Sequence, residues 1–224
     1  MPRRESAVPP SYQNSVFINC PFDPKYKTIF NAIVFAVYDA GFYPRCAFEL
    51  GDASQNRLQG IVRIIAECRF GIHDISRTER DRANRLPRFN MPLELGVFFG
   101  CKYFGGGRHP LKVCLVMDSE QYRYQKFISD IAGQDVRSHK NDPRRAGLIV
   151  RDWLRANSQR VDIPDGVVVW RRFRQFQREL PSICKRLKWN PQILSLQFVD
   201  YRVVIYEWLL DNALSLGNRK TEQP

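Results

Sequence analysis

No apolar run in the 224-residue chain approaches the roughly 20 residues that span a bilayer, and Met1 to Ser6 lead into Pro9-Pro10 without the apolar core of a signal peptide. A cytoplasmic protein with no membrane segment is the expectation. Histidine is scarce, and the three present, His73, His109 and His139, lack the spacing of metal ligands, so no metal is expected. The six cysteines include no Cys-x-x-Cys pair and mostly stand in apolar runs, which argues against disulfides and structural zinc. Acids are the minority charge: 23 Asp+Glu face 35 Lys+Arg, leaving a net +12.

What is there reads as one folded body. Hydrophobic residues at 44% and charged residues at 26% are ordinary globular usage and exclude wholesale disorder. Residues 1–14 are polar and Pro-containing, a flexible leader by expectation, and 217–224 a flexible tail. Between them the chain alternates. Val16 to Asn19 is a strand stopped by Cys20-Pro21, and Ile29, Phe30, Ile33, Val34 and Val37 give a helical stripe closed by Gly41. Phe42 to Phe48 predicts a second strand, and Leu58 to Ile65 a second helix. Phe70 to Ile75 is the third strand, followed by a charged loop over 76–89 and a helix from Met91. Lys112 to Met117 is a fourth strand and Glu120 to Ile131 a fourth helix. Such alternation predicts an α/β fold, a parallel sheet covered on both faces, over residues 15–140.

Beyond it, residues 141–216 predict a basic helical extension, with Asn190-Pro191 opening an amphipathic last helix. From Pro143 to Asn190 twelve Lys/Arg stand against four Asp/Glu. The run Arg171 to Arg178 could hold nucleic acid or another polyanion, although a solvated helix face is the commoner origin of such runs.

In an open parallel sheet, ligands enter outside the carboxyl ends of the strands. The residues there are Asn19, Cys20 and Phe22 after the first strand, Arg45, Glu49 and Asp52 after the second, and Asp74 and Ser76 after the third. Asn90 stands at the start of the following helix. These are the expected substrate-binding positions, with Glu94 and Asp74 as the catalytic pair. Glu94 stands out because Lys102 is the only other charge from Met91 to Phe104. A helix apolar on nearly all sides is buried, and an unpaired buried carboxylate needs a reason. In the helix's first turn, Glu94 would have its charge stabilised by free amides, or would simply cap them. Cys20 could be a nucleophile, but no His/Asn set accompanies it and a packed thiol is preferred. There is no G-x-x-x-x-G-K-S/T and no G-x-G-x-x-G after the first strand, so ATP hydrolysis and hydride transfer fit poorly.

The order of parts from Ser15 to Cys20, through the Gly51-Asp52 loop, Ile61 to Ser76 and Pro92 to Leu95, resembles the TIR domain family. Asp74 with Met91 to Gly96 is equally similar to the nucleoside 2-deoxyribosyltransferase family. Both resemblances imply a flavodoxin-like fold and attack at ribose C1′, with Glu94 the catalytic carboxylate and Asp74 a proton donor where a nucleobase leaves. They imply hydrolysis of NAD+ or a related nucleotide, without a cofactor. The setting they imply is a bacterial anti-phage effector activated by assembly, through a homo-oligomer or a sensor protein on the C-terminal helices. A nucleoside deoxyribosyltransferase or nucleosidase, or a non-catalytic nucleotide-sensing or scaffold module, stays open beside this.

Overall fold

A computed structural model describes residues 10–78, 87–189 and 196–218. Five strands, β1 (Ser15–Asn19), β2 (Tyr43–Arg45), β3 (Phe70–Asp74), β4 (Val113–Asp118) and β5 (Arg137–Ser138), form one sheet in the order β2-β1-β3-β4-β5. Every ladder is parallel. Parallel neighbours require crossovers, and α1 (Lys27–Asp39), α2 (Arg57–Glu67) and α3 (Asn90–Phe104) supply the first three. The architecture is the expected α/β, flavodoxin-like one. Among the described residues no helix is long and apolar enough to cross a membrane.

The fourth crossover differs from the prediction. Instead of a helix over 120–131, the chain makes two 3-10 turns, Arg123–Lys126 and Ser129–Ile131. Tyr122 enters them at φ 60°, a left-handed value that interrupts helical continuation, and Arg123 is drawn to Asp118 at the end of β4. β5, two polar residues long, carries no apolar alternation and is placed by pairing with Met117 and Asp118.

The pleat sorts the strand residues between two unequal faces. Val16, Ile18, Phe70, Ile72, Leu115 and Met117 share a core with α1 and with α4 (Pro143–Ser158), α5 (Gly166–Arg186) and α6 (Phe198–Asn218). Phe17 meets α2 and Phe98 on the opposite face. The helices after residue 141 therefore pack back over the sheet. α1 is enclosed: Ile29 to Val37 are all buried, and the Phe35 ring lies 5.3 Å from both Phe173 and Phe176 and 5.6 Å from Trp208. The expected cap at Asn190 and most of the charged loop lie outside the described residues.

Residues 10–14, expected to be flexible, are fastened. Tyr12 is buried, its carbonyl accepts from the Arg69 amide, and the Asn14 carbonyl accepts from that of Tyr43. Nearby, Lys112 is fully buried, an expensive place for an ammonium. Its Nζ donates to the carbonyls of Ile65 and Cys68 at the C-terminal end of α2 and lies 4.9 Å from the Phe98 ring centre. The cation thereby meets the negative end of a helix.

α3 is less buried than its composition predicts. Met91, Leu95 and Phe98 face the sheet, while Leu93 and Tyr103 are exposed and Phe104 is 92% exposed. α2 covers only one flank, so the rest of α3 faces outward with its apolar side chains.

Candidate functional site at the carboxyl ends of the strands

Asp74, the last residue of β3, is wholly buried and fully engaged. The Tyr26 hydroxyl donates to its Oδ2 at 2.6 Å and the Ser76 amide to its Oδ1 at 2.9 Å. His139 Nε2 lies 2.9 Å from the same Oδ2. The Asn141 amide donates to His139 Nδ1, which places the ring proton on Nε2, facing Asp74. Burial pushes the Asp74 pKa up, but His139, Ser76 and Tyr26 outweigh it and hold the carboxyl below its ordinary range. Asp74 is a buried anion that ties three segments together, and the raised pKa that would suit a proton donor is not found.

Asn19 and Ser76 belong to the same scaffold. Asn19 Nδ2 donates to the Met91 carbonyl at 2.8 Å and contacts His73 Nδ1 at 3.0 Å, which fastens β1 to the start of α3. His73 is entirely buried, and burial with the field of Lys112 pushes its pKa down to about 3, so the ring is neutral. Cys20 is buried beneath the crevice, and burial pushes its thiol pKa well up, the state of an inert packing thiol.

Arg45, an expected substrate-binding position, is held by two carboxylates. Its guanidinium pairs with Glu49 at 2.6 Å and Glu67 at 3.1 Å. Glu49 accepts from the Cys46 amide as well and meets Arg202 of α6 at 3.4 Å. Asp52 folds its own loop, accepting from Ser54 and Gln55. Asn90 is exposed at the first turn of α3.

Glu94 is different from all of these. It lies five residues into α3, past the free amides, so it neither caps the helix nor sits on its positive end as expected. Among the described residues it has no hydrogen bond and no ion pair, yet it is half-buried. Burial pushes its pKa up to about 7, opposed only by Arg57 of α2. Arg57 also lines a cavity of about 550 Å³ together with Glu49, Asp52, Asn56 and Arg63. A second cavity, about 180 Å³, lies against Phe22, Lys27 and Phe48, whose Phe22 and Phe48 rings are 4.0 Å apart. Residues 48 and 49 separate the two cavities. Glu94 itself lines neither, and its charge is felt at Cys20 and Cys46 on the crevice floor.

Arg57 and His139 escaped the sequence reading. Arg57 had a local signal, since Asn56 caps α2 by accepting from the Gln59 amide. His139 had none, because it meets Asp74 across 65 residues of chain. No family model, no curated protein and no solved structure matches the chain.

Proposed function

We propose that the chain hydrolyses the N-glycosidic bond of NAD+ or a closely related nucleotide, with Glu94 as the carboxylate opposite the sugar. The observation that carries this reading is Glu94 itself. A half-buried acid that serves no cap and no ion pair among the described residues weakens the fold, and such groups concentrate where their charge is used.

In the reaction, the bond between ribose C1′ and the nicotinamide nitrogen breaks. Its electron pair leaves with the nitrogen, so nicotinamide departs neutral and positive charge builds on the ribose. Glu94 stabilises that charge in a partly dry crevice. Water then adds to C1′ and releases a proton, giving ADP-ribose. The Phe22–Phe48 pair offers an aromatic shelf for a flat base, and Arg57 with Arg63 suits a pyrophosphate. Asp74 favours this substrate class over plain nucleosides. A purine or pyrimidine leaves only when protonated, and Asp74, ionised below the ordinary range, has no proton to give near neutrality.

The test is chromatography of NAD+ and a nucleoside panel after incubation with wild type and with Glu94→Gln, each at several protein concentrations and pH values. Nicotinamide is expected from wild type alone, at a rate that rises as pH passes about 7, because the ionised carboxylate is the working form. Product from both proteins would remove Glu94 from the mechanism. Assembly and nucleotide binding unchanged by Glu94→Gln, with no product from either protein, would make the chain a sensing or scaffold module.

A further inference from the structure

α5 carries six Lys/Arg and a single acid, Glu179. Two of the cations are paired, Arg172 with Asp39 at 2.8 Å and Arg186 with Asp211 at 3.2 Å. Glu179 is turned toward α6, where it accepts from Trp208 Nε1 and Gln175. Four cations are left, Arg171, Arg174, Arg178 and Lys185. All are exposed, and none has a carboxylate partner among the described residues. At 3.6 residues per turn they fall within an arc of about 60°, opposite the buried Phe173, Phe176, Leu180 and Ile183. They form a ridge about 21 Å long, at 1.5 Å per residue.

From this ridge we infer that α5 binds the phosphate backbone of duplex nucleic acid without regard to sequence. Three of the four cations are arginines, whose forked donors match phosphate oxygens in pairs. A duplex presents about twelve charges along a ridge of that length. Chemistry argues against the alternatives. Helices that lie in a bilayer surface need a free apolar face, and that of α5 is consumed against α1 and α6. Single strands are held by exposed aromatic rings, and the ridge presents none. This surface is separate from the Glu94 crevice, and the inference stands whether or not the chain is a glycosidase.

The experiment is fluorescence anisotropy of labelled duplex DNA, duplex RNA and single-stranded DNA against the full chain, in salt from about 50 to about 200 mM. Four phosphate contacts predict a slope near −3.6 in log affinity against log salt, a loss of about 150-fold over that range. The triple variant Arg171→Gln, Arg174→Gln, Arg178→Gln should lower the magnitude of the slope by about 2.7. A matched control, Lys25→Gln, Lys126→Gln, Lys140→Gln, removes the same charge from exposed sites elsewhere and should keep the slope. Circular dichroism melting of both variants checks that they are folded. Equal weakening by the two triples would reduce the effect to net charge and overturn the inference. So would single strands bound as tightly as duplex, vesicles containing phosphatidylserine bound in preference to either, or no measurable binding at about 50 mM salt.

Discussion

Asp74→Ala is expected to destabilise the protein by about 3–5 kcal/mol, the cost of removing one partner from a buried charged network. The loss exceeds one hydrogen bond because of what is stranded. The Tyr26 hydroxyl, the Ser76 amide and His139 Nε2 all converge on this carboxylate, and none has water to fall back on. Asp74→Asn keeps the volume and one acceptor and should lose less. The carboxyl is held below its unfolded range, so its stabilisation is present above the ordinary aspartate pKa and disappears as pH falls through the lower, folded value. Urea denaturation of the three proteins near neutral pH measures this. A midpoint shift worth less than about 1 kcal/mol for Asp74→Ala would show that the network relaxes around the gap.

The opposite sign is expected at Glu94. At about pH 8, Glu94→Gln should be more stable than wild type by about 2 kcal/mol, a rise of roughly 4–8 °C in melting temperature for a chain of this size. Here the folded pKa is about 7 against an ordinary 4.5, so the fold favours the neutral acid. That contribution is complete below the ordinary value and is lost as pH climbs through about 7. The full displacement is worth about 3 kcal/mol, reduced because the side chain is partly solvated. At about pH 4, where the acid is neutral folded or unfolded, the two proteins should melt together. Turnover should fall about 10³-fold in the same variant, the scale of losing one charge-stabilising group. A variant that is less active but no more stable at high pH would mean that Glu94 is hydrated and its field weak.

The contrast between these two acids explains what could be read from residues alone. Strand and helix order was legible because periodicity is local, and both Asp74 and Glu94 were visible as charges at strand and helix ends. Their roles were not, because each depends on distant groups: Asp74 on Tyr26 and His139, Glu94 on having no hydrogen bond or ion pair among the described residues. The enclosure of α1 had a signal in Ile29 to Val37, nine residues with Asn31 as the sole polar one, a run too continuous for a helix facing the sheet on one side only. The position of Glu94 five residues into α3 turned on where that helix begins: Asn90 and Pro92 are residue types that favour a cap and a first turn, yet the helix already starts at Asn90, after Phe89, which makes no side-chain cap. The pairing of Arg45 was not legible, because the two glutamates it meets lie four and 22 residues further along the chain.

The seam between α2 and β4 carries a chemical clock. Lys112 is sealed by the end of α2 and by Phe98, and burial lowers its pKa toward the nucleophilic free amine. Acylating reagents react only with amines they can touch, so its modification should wait for this seam to part and proceed at the rate of parting. The exposed Lys25, Lys126 and Lys140 would be labelled at once. The side chain that anchors the helix also records, in one peptide mass, how often the helix lets go.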